Sequence, residues 1–572
     1  MDKIKVISKR VIRFKRELVL VLTPLILLPV LYSIPLKQAK CLYVFLVMVT
    51  YWCTEALPVA VTSLIPIVIF PTFGIMASSK VCPQYFADTI ILFMGGVILA
   101  VAMENWNLHR RVALHILMYV GVKPTMLLLG LMLTTSILSM WMNNSATTVT
   151  MMPIANAILK TLYGDEESTD MSVSHINAGT RENLIANPVQ RSFAVKGILL
   201  SIPYSASIGG IATLTGSVPN LILDGQVKRT FPNSHTLTFG SWLLFALPFM
   251  LLLLLSAWLW ISILYGGLQG RYGCCHPVLN TVLTGSDCCV LSCRFAEKAV
   301  GFVFLLFVII LFTRSPKYML GWEKIFQPKY VSDAAASTLI IILLFIFPSQ
   351  KPTYKWKIDP SGMYMVPLLS WKTVQKKVPW NVLILLGGGF ALAKGTEESE
   401  LSVWIGDLFQ PLEKISASAA VLLISLTVSV VTEFLNSSVT SAVLLPVLAK
   451  LTESCCNLCS FLYSSFAFTL PSGTPENTIA FSSRQLHVKD MVKGGIVLNV
   501  WGNILLFLAI NTWGQPIFQL TRKEERVLFL NNVMGSLTST WSSNRDLGLT
   551  SHPKNSTSNI TAHPQYCTGV SA

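Results

Sequence analysis

The sequence has little charge: only 12% of its 572 residues are Asp, Glu, Lys or Arg. Soluble domains carry about 25%, so this composition excludes an ordinary soluble protein and makes lipid the expected solvent. Histidine is also scarce, with 8 residues, and no pair of them has the spacing of a metal site. The sequence contains no phosphate-binding glycine loop and no nucleophile–base arrangement. We therefore predict no enzyme, no cofactor and no ATP-driven pump.

The chain is instead rich in apolar sequence, with 52% hydrophobic residues and a mean hydropathy of +0.59. An apolar run of about 17–25 residues can cross a bilayer, and about eleven such runs occur. The predicted fold is an all-α polytopic membrane protein. Its predicted spans lie at 18–36, 41–57, 59–76, 88–105, 196–228, 238–265, 297–313, 333–348, 380–396, 456–483 and 493–513.

The formal net charge of +15 arises mostly from short basic segments between these spans. Basic residues favour the cytosolic side, so we predict a cytosolic N-terminus. The basic residues form no single face, so nucleic acid is not an expected partner. An odd number of spans places the C-terminus outside, where Asn555 and Asn559 match the glycosylation pattern.

One predicted cytosolic loop holds five cysteines: Cys274, Cys275, Cys288, Cys289 and Cys293. Disulfides are not expected in the cytosol. Metal binding, palmitoylation beside the membrane and no special role all stay open.

The sequence repeats itself in three blocks that recur in the same order. The paired segments are 88–112 with 380–405, 143–154 with 436–447, and 213–223 with 470–480. The first copy has a basic flank at Arg110 and Arg111, whereas the second has an acidic flank at Glu397 and Glu398. The copies are therefore predicted to face opposite sides of the membrane. Such inverted repeats are typical of secondary transporters.

Two apolar segments, 126–159 and 417–450, are too long for one span and too short for two. Each has small polar residues at its centre, so we predict two re-entrant hairpins with tips at Asn143–Thr148 and Asn436–Ser441. Backbone of this kind persists at membrane depth only where it is buried in protein or lines a cavity. Amide and hydroxyl oxygens suit sodium, and the N-termini of half-helices favour an anion.

The third pair of blocks contains Gly and Pro inside apolar sequence, at Thr215–Asn220 and Ser472–Asn477. Pro removes a backbone donor and Gly permits unusual dihedral angles, so both spans are predicted to break there. Two cation sites, one in each repeat, with an anion between them would fit this pattern. Helix packing by small residues is the alternative.

Three other polar features are interpreted separately. Glu55 is expected to make a structural hydrogen bond. For Glu433, a role in the site and a purely structural role both stay open, because a buried carboxylate needs a partner or a proton. His109 and His115 are interpreted as the polar face of an interfacial helix.

Over residues 18–518 the chain resembles the sodium-coupled dicarboxylate/sulfate cotransporters, the divalent anion:sodium symporters that include citrate and succinate carriers. The resemblance rests on YWCTEALPVAVTSLIPI, MENWNLHRRVAL, LSMWMNNSATT, GGIATLTGSVPN, LLGGGFALAKGTEESELSVWIG, VVTEFLNSS and DMVKGGIVLN. It implies eleven spans plus two re-entrant hairpins, a homodimer held by scaffold domains, and elevator movement of the transport domains.

The predicted organisation follows from the repeats and this resemblance. A basic N-terminus at 1–17 is followed by scaffold helices with an interfacial helix at 18–124. The first hairpin and broken helix occupy 125–230, with a cytosolic loop at 160–195, and scaffold helices with the start of the second repeat occupy 231–415, with cytosolic loops at 266–296 and 349–379. The second hairpin, broken helix and last span occupy 416–520, and an extracellular polar tail occupies 521–572.

The resemblance also implies site residues. The first sodium site would comprise Ser139, Asn143, Asn144, Ser145, Thr215 and Gly216, and the second Thr432, Asn436, Ser437, Ser472 and Gly473. The substrate would meet Asn144, Ser145, Thr147, Ser217, Pro219, Asn220, Ser437, Ser438, Thr474 and Asn477.

Some residues depart from the family pattern. Both tips of typical members begin Ser-Asn, whereas here they read Asn143-Asn-Ser and Asn436-Ser-Ser, and Glu476 replaces a usual Pro. At 4 Å and an effective dielectric constant of 20, two like charges repel by about 4 kcal/mol. Glu476 is therefore expected to be protonated, to coordinate a cation, or to point away from a dianion.

The function predicted is sodium-coupled symport of di- or tricarboxylates across the plasma membrane, with sodium ions as co-substrate. Pro219 and Thr474 resemble the carboxylate carriers more than the sulfate carriers. Sodium/sulfate cotransport is the first alternative. A family member without coupled transport, acting as a channel or receptor, is the second.

Overall fold

The structure of the protein, a computed structural model, describes residues 15–33, 36–120, 124–163, 188–230, 237–265, 295–314, 321–327, 330–350, 366–401, 404–405, 417–451, 466–483 and 485–518. Apart from an isolated bridge between Pro348 and Pro367, the regular structure in these ranges is helical. The all-α prediction is thus confirmed for the described residues. The five clustered cysteines, Asn555 and Asn559 lie outside them.

Twelve α-helices cover the described part of the first repeat. They are α1 Lys15–Leu27, α2 Val30–Ser33, α3 Leu36–Thr54, α4 Val59–Ser63, α5 Ile65–Thr72, α6 Ser78–Val81, α7 Asp88–Asn105, α8 Leu108–Val120, α9 Pro124–Ser139, α10 Asn144–Tyr163, α11 Pro188–Gly210 and α12 Val218–Thr230.

Ten more α-helices follow in the described ranges after residue 236. They are α13 Phe239–Leu264, α14 Phe295–Thr313, α15 Asp333–Ile346, α16 Trp371–Lys377, α17 Trp380–Glu398, α18 Ala417–Phe434, α19 Ser437–Leu451, α20 Pro475–Phe481, α21 Val488–Ala509 and α22 Gln515–Phe518. A π-turn at Ile510–Gly514 joins the last two, and short 3₁₀ turns occur at Cys82–Phe86 and Trp322–Ile325.

Four segments of the described chain are long and apolar enough to cross a membrane: Ser78–Asn105, Phe239–Leu264, Phe295–Thr313 and Val488–Phe518. The pair α16 and α17, bent by 65°, would make a fifth. Shorter apolar helices in the described ranges include Asp333–Ile346 and Leu422–Phe434. The protein is therefore a helical, multi-pass membrane protein, while the count of eleven spans stays a prediction.

The chain leaves the helix at the places where the Gly-Pro and tip patterns predicted it. α11 ends at Gly210 and α12 begins at Val218, and α20 begins at Pro475 after an irregular stretch from Phe466. Likewise α9 and α10 flank the first tip, and α18 and α19 flank the second. Each repeat therefore contributes a helix–tip–helix unit; the first also contributes a broken helix, and the second an irregular stretch that leads into α20.

The two repeats are interlocked. α10 of the first hairpin packs on α20 of the second broken helix, and α19 of the second hairpin packs on α12 of the first. Each tip is thus brought to the break of the other repeat. This exchange puts four non-helical segments, distant in sequence, around one point.

Acidic and basic side chains link α12 to α15 and to Arg314, which directly follows α14. Lys228 Nζ lies 2.7 Å from Asp224 Oδ2 and 3.7 Å from Asp333 Oδ2. Arg314 Nε lies 3.1 Å from Asp333 Oδ1, and Thr89 Oγ1 donates to Asp224 Oδ2 at 3.3 Å. Because Asp224 and Asp333 are buried, each needs these partners.

The predicted interfacial helix is α8. His115 is exposed on it, whereas His109 is buried with its Nδ1 3.4 Å from the carbonyl oxygen of Met103. Glu55 is exposed in a turn at φ 50°.

The close contact between α9 and α11 provides a test of the hairpin packing. A Cβ at Gly209 would lie 2.3 Å from Ser136 O and 2.5 Å from Ser136 Cα, both backbone atoms. We expect Gly209→Ala to destabilise the protein by about 1–3 kcal/mol or more, because a rigid backbone cannot yield to the methyl group. The measurement is the melting temperature of detergent-purified protein. Gly240→Ala is the control, because its nearest atom is Phe312 Cδ1 at 3.9 Å; equal melting temperatures for the two variants would contradict this packing.

Candidate functional site

A cavity of about 530 Å³ lies where the two tips meet the two breaks. Its walls include Asn143–Ser145, Gly216–Pro219, Asn436–Val439 and Pro475 with Glu476. Sites for small molecules typically have volumes of about 300–1,000 Å³. The cavity is therefore the candidate binding site, and residues of both repeats line it.

The two tips have the same local geometry. Asn143 Oδ1 accepts a hydrogen bond from the Ser145 N–H at 3.0 Å, and Asn436 Oδ1 accepts one from the Ser438 N–H at 3.0 Å. Asparagine is a preferred residue at helix starts because its oxygen accepts a free N–H of the first turn. The tips thus cap α10 and α19 in the same way, despite the departures in sequence.

The two breaks are also held alike. Asn220 Nδ2 donates to Gly210 O at 3.1 Å and to Thr213 O at 2.8 Å. Asn477 Nδ2 donates to Ala467 O at 2.7 Å and to Leu470 O at 3.2 Å. In both loops the acceptors lie 10 and 7 residues before the asparagine. One amide in each repeat therefore satisfies two carbonyls that the broken helix leaves free.

Three helices of more than eight residues begin at the cavity: α10, α12 and α19. The N-terminal end of a helix carries a partial positive charge and unpaired N–H groups. Such ends stabilise a bound anion. This arrangement is suited to negatively charged solutes.

Oxygen atoms crowd together behind the first tip. Ser139 Oγ lies 2.6 Å from Asn144 Oδ1 and 2.7 Å from Ala206 O. A hydroxyl group carries one hydrogen, so three oxygens share a single proton. A small cation with oxygen ligands would relieve this crowding.

A related group of oxygens surrounds Gly473 in the second repeat. A Cβ at this glycine would lie 3.3 Å from Thr432 O and 3.4 Å from Glu433 O. Gly473 O in turn accepts a hydrogen bond from the Ser437 N–H at 3.2 Å. The glycine is thus required for the close approach of the break to the end of α18.

Glu433 is buried and fixes the segment before the second break. Its carboxylate accepts hydrogen bonds from Thr469 N at 3.1 Å, Leu470 N at 2.9 Å and Thr469 Oγ1 at 2.7 Å. Asn499 Nδ2 of α21 also donates to it. Glu433 therefore holds the loop at Thr469 and Leu470 in place.

Glu476 is buried and lies in the lining of the cavity. Its Oε1 accepts hydrogen bonds from Ser207 Oγ at 3.0 Å and from Asn144 Nδ2 at 3.3 Å. The side chain thereby joins the second break to the first tip and to α11.

The predicted substrate residues fall into two groups. Those on the cavity wall are Asn144, Ser145, Ser217, Pro219, Ser437 and Ser438. Those buried behind the described wall are Thr147, Asn220, Thr474 and Asn477. Substrate contact by the second group stays a prediction.

The predicted sodium residues also differ in position. Thr215 is buried and packs against Gly96 of α7, while Gly216 lines the cavity. Thr432 Oγ1 donates to Val428 O at 2.7 Å within its own helix, and Ser472 is exposed. The side chain of Thr432 is thus engaged within its own helix, and sodium binding by these residues stays a prediction.

Sequence reasoning did not anticipate Arg16, Glu55 and Asn381 on the cavity wall. Arg16 lies in the predicted basic N-terminus at 1–17, and its Nε donates to Ala56 O at 2.8 Å. The charged wall residues in the described part of the chain are Arg16, Glu55 and Glu476. The titratable side chains on the described wall are therefore one basic group and two carboxyl groups.

The chain matches the family model described as the sodium:sulfate symporter transmembrane region over residues 11–520. It is 48% identical to the human Na(+)/dicarboxylate cotransporter 3, over 90% of this chain and 94% of that protein. It is 42% identical to mouse solute carrier family 13 member 2, with 89% and 94% covered, and 38% identical to the rat Na(+)/citrate cotransporter, with 90% and 97% covered. On this similarity, which extends across both repeats and the cavity, the chain belongs to the sodium:sulfate symporter family.

Proposed function

We propose that the protein is a sodium-coupled symporter of di- or tricarboxylates. The observation that carries the proposal is the meeting of both tips and both breaks at one cavity. Secondary transporters bind their cargo at such broken helices near the midplane of the membrane. Membership in a family of symporters supports transport rather than catalysis.

The anion would lie between the first turns of α10, α12 and α19. Free N–H groups and helix dipoles at these ends favour negative charge, by about 0.3–1 kcal/mol each at exposed sites and more when partly buried. Asn144, Ser145, Ser217, Ser437 and Ser438 would donate hydrogen bonds to the carboxylates from the cavity wall.

Sodium would occupy the two groups of oxygens next to the tips. The first group comprises Ser139 Oγ, Asn144 Oδ1 and Ala206 O; the second comprises the carbonyl oxygens near Gly473. Burying an anion in low dielectric is costly. Bound cations offset that cost, so sodium would bind first and prepare the cavity for the anion.

Carboxylates are the favoured substrate class because the relatives named above are dicarboxylate and citrate cotransporters. A volume of about 530 Å³ also leaves room for a chain of several carbons between two anionic groups. Sulfate remains the second candidate because the matched family model carries that name.

The proposal includes a location and a movement. The protein would lie in the plasma membrane as a homodimer, with a cytosolic N-terminus and a C-terminal tail glycosylated at Asn555 and Asn559. The hairpins and broken helices would move as one transport domain against a scaffold. Inward movement would draw on the sodium gradient and on about 2.3 kcal/mol per net charge per 100 mV.

Uptake measurements test the function directly. We expect cells that express the protein to take up radiolabelled succinate or citrate in sodium but not in choline medium, because cations must offset the buried anion. Sulfate uptake under the same conditions would favour the second candidate. Sodium-independent flux, or surface protein without flux, would instead support a channel or receptor.

Asn144 provides a test of the first sodium position. We expect Asn144→Ala to raise the sodium concentration for half-maximal uptake several-fold, because the variant lacks the oxygen next to Ser139 Oγ. Asn511→Ala is the matched control, since Asn511 is exposed and its amide donates only to Phe507 O at 2.8 Å. Sodium activation curves normalised to surface protein are the measurement; identical curves would remove Asn144 from the sodium position.

Glu433 provides a test of the second break. Both of its carboxylate oxygens accept N–H groups, so Glu433→Gln would place an amide donor against other donors. Hydrogen bonds to charged groups contribute about 1.5–3 kcal/mol each. We therefore expect weaker sodium activation, by about fivefold or more, and a lower melting temperature.

The matched control for this change is Glu398→Gln. Glu398 is exposed and pairs with Lys80 at 3.0 Å, and exposed ion pairs contribute little. If Glu433→Gln matched this control in both measurements, the carboxylate would not be needed to hold the loop.

A further inference from the structure

The carboxyl group of Glu476 lies in the lining of the binding cavity, yet it is almost wholly buried. Only 4% of the surface of this residue is exposed. It lies in the first turn of α20, and Asn144 of the first tip donates a hydrogen bond to it. A solute that binds between the two tips therefore lies next to this group.

The polar neighbours of Glu476 are hydrogen-bond donors. Ser207 Oγ and Asn144 Nδ2 donate to its Oε1 at 3.0 and 3.3 Å, and Ser145 of the first tip provides a further hydrogen bond. Asn144 presents its amide hydrogens to Glu476 because its Oδ1 lies toward Ser139. Donors of this kind stabilise the ionised form of a carboxyl group. The geometry therefore indicates a carboxylate rather than a carboxylic acid.

This carboxylate has no cationic partner among the described side chains. The ion pairs found within the described ranges do not include Glu476. Arg16, the basic group of the described wall, donates from its Nε to Ala56 O. A buried carboxylate needs a positive partner in addition to neutral donors. That partner must come from the contents of the cavity.

The positive partner is either a metal ion or a cationic group of the cargo. A metal ion needs several oxygen ligands, whereas the groups that surround Oε1 present hydrogens to it. The oxygens proposed for sodium lie at the other end of the Asn144 amide, beside Ser139 and Ala206. An ammonium group is itself a donor and needs only the lone pairs of the carboxylate. The arrangement therefore favours an ammonium group.

We propose that the preferred cargo is a dicarboxylate with an ammonium group next to one of its carboxylates, and that Glu476 binds this ammonium group. The inference rests on the proposed function and narrows its substrate class. The Glu476 carboxylate accepts an N–H hydrogen of the ammonium group, which forms a charge-assisted hydrogen bond. The adjacent carboxylate of the cargo lies at the first tip, beside Asn144 and Ser145, and the other reaches Ser437 and Ser438 of the second tip.

The charges of the described wall suit a cargo that carries both signs. They comprise one basic group, Arg16, and the carboxyl groups of Glu55 and Glu476. The N-terminal ends of α10, α12 and α19 attract carboxylates, whereas Glu476 attracts a cation. Glu55 is exposed, so water already stabilises its charge. A dicarboxylate without an ammonium group would leave Glu476 unpaired and bring like charges together.

L-Aspartate and L-malate provide the test, because they have the same carbon chain and the same pair of carboxylates. Aspartate carries an ammonium group where malate carries a hydroxyl group. The measurement is sodium-driven uptake of each radiolabelled acid by the purified whole protein in liposomes. For the natural chain we expect the ratio of maximal rate to KM to be at least about tenfold higher for aspartate, because an ion pair replaces a contact between like charges.

Variants of Glu476 show whether this preference comes from its charge. Glu476→Gln keeps the size of the side chain but removes the charge, so we expect the preference for aspartate over malate to fall by at least about tenfold. Glu476→Asp keeps the charge and should retain a preference for aspartate, which a merely structural role would not produce. Glu398→Gln, the same change at an exposed residue outside the described wall, is the matched control and should keep the natural preference. The preference compares two acids in one protein, so a loss of folded protein cancels.

The outcomes separate the two proposals. Sodium-driven uptake of malate without aspartate, or an unchanged preference in Glu476→Gln, would overturn ammonium binding and leave the symporter proposal standing. Weaker sodium activation with both acids in Glu476→Gln, at an unchanged preference, would instead assign the carboxylate to a sodium ion. A loss of preference in Glu55→Gln but not in Glu476→Gln would place the ammonium group at Glu55 and overturn the assignment. Absence of sodium-driven uptake of both acids, and of succinate and citrate, would overturn both proposals.

Discussion

A backbone that leaves its helix inside a membrane must find new partners for its N–H and C=O groups, and this requirement governs the whole site. Unsatisfied polar groups in hydrocarbon cost several kcal/mol each. In both repeats the side-chain amide of one asparagine, Asn220 or Asn477, donates to carbonyls 10 and 7 residues earlier. The two irregular loops are therefore held open in a defined shape. The two loops beside the cavity are held by these amides, although neither side chain is part of the described cavity wall.

The exchange of partners between repeats follows from the same requirement. A tip is too polar to lie against lipid, and a break leaves backbone N–H groups without helical partners. Each segment is therefore more stable packed against the other than exposed to lipid. Packing α10 on α20 and α19 on α12 brings tip and break together twice. The cavity therefore receives N-terminal helix ends from both repeats, namely those of α10 and α12 from the first and that of α19 from the second.

Much of this arrangement could be predicted from the sequence, because the signals are local. The apolar composition predicts the helical membrane class, and Gly with Pro in apolar sequence predicts the breaks at 211–217 and before Pro475. The position of Asn220 and Asn477 behind the wall could not be predicted, because a motif shows which residues are adjacent but not which way an amide faces. The orientation of Glu476 toward Asn144 joins residues 332 apart, and no local pattern encodes that contact. Hydropathy also determines the number of spans poorly. A helix that is broken inside an apolar segment is shorter than the length needed to cross a bilayer, although the segment as a whole is long enough.

The ion pairs on α12 have a consequence for motion. This helix forms part of the cavity at its first turn and carries Asp224 and Lys228 further along, where Lys228 reaches Asp333 of α15. Asp333 is shared with Arg314, so a sliding of α12 past α15 would remove one cation from Asp333 and leave the other in place. Asp333 would thus keep Arg314, and Lys228 would keep Asp224 of its own helix. Sharing of this kind lets two packed helices shift relative to each other without leaving either buried carboxylate wholly unpaired.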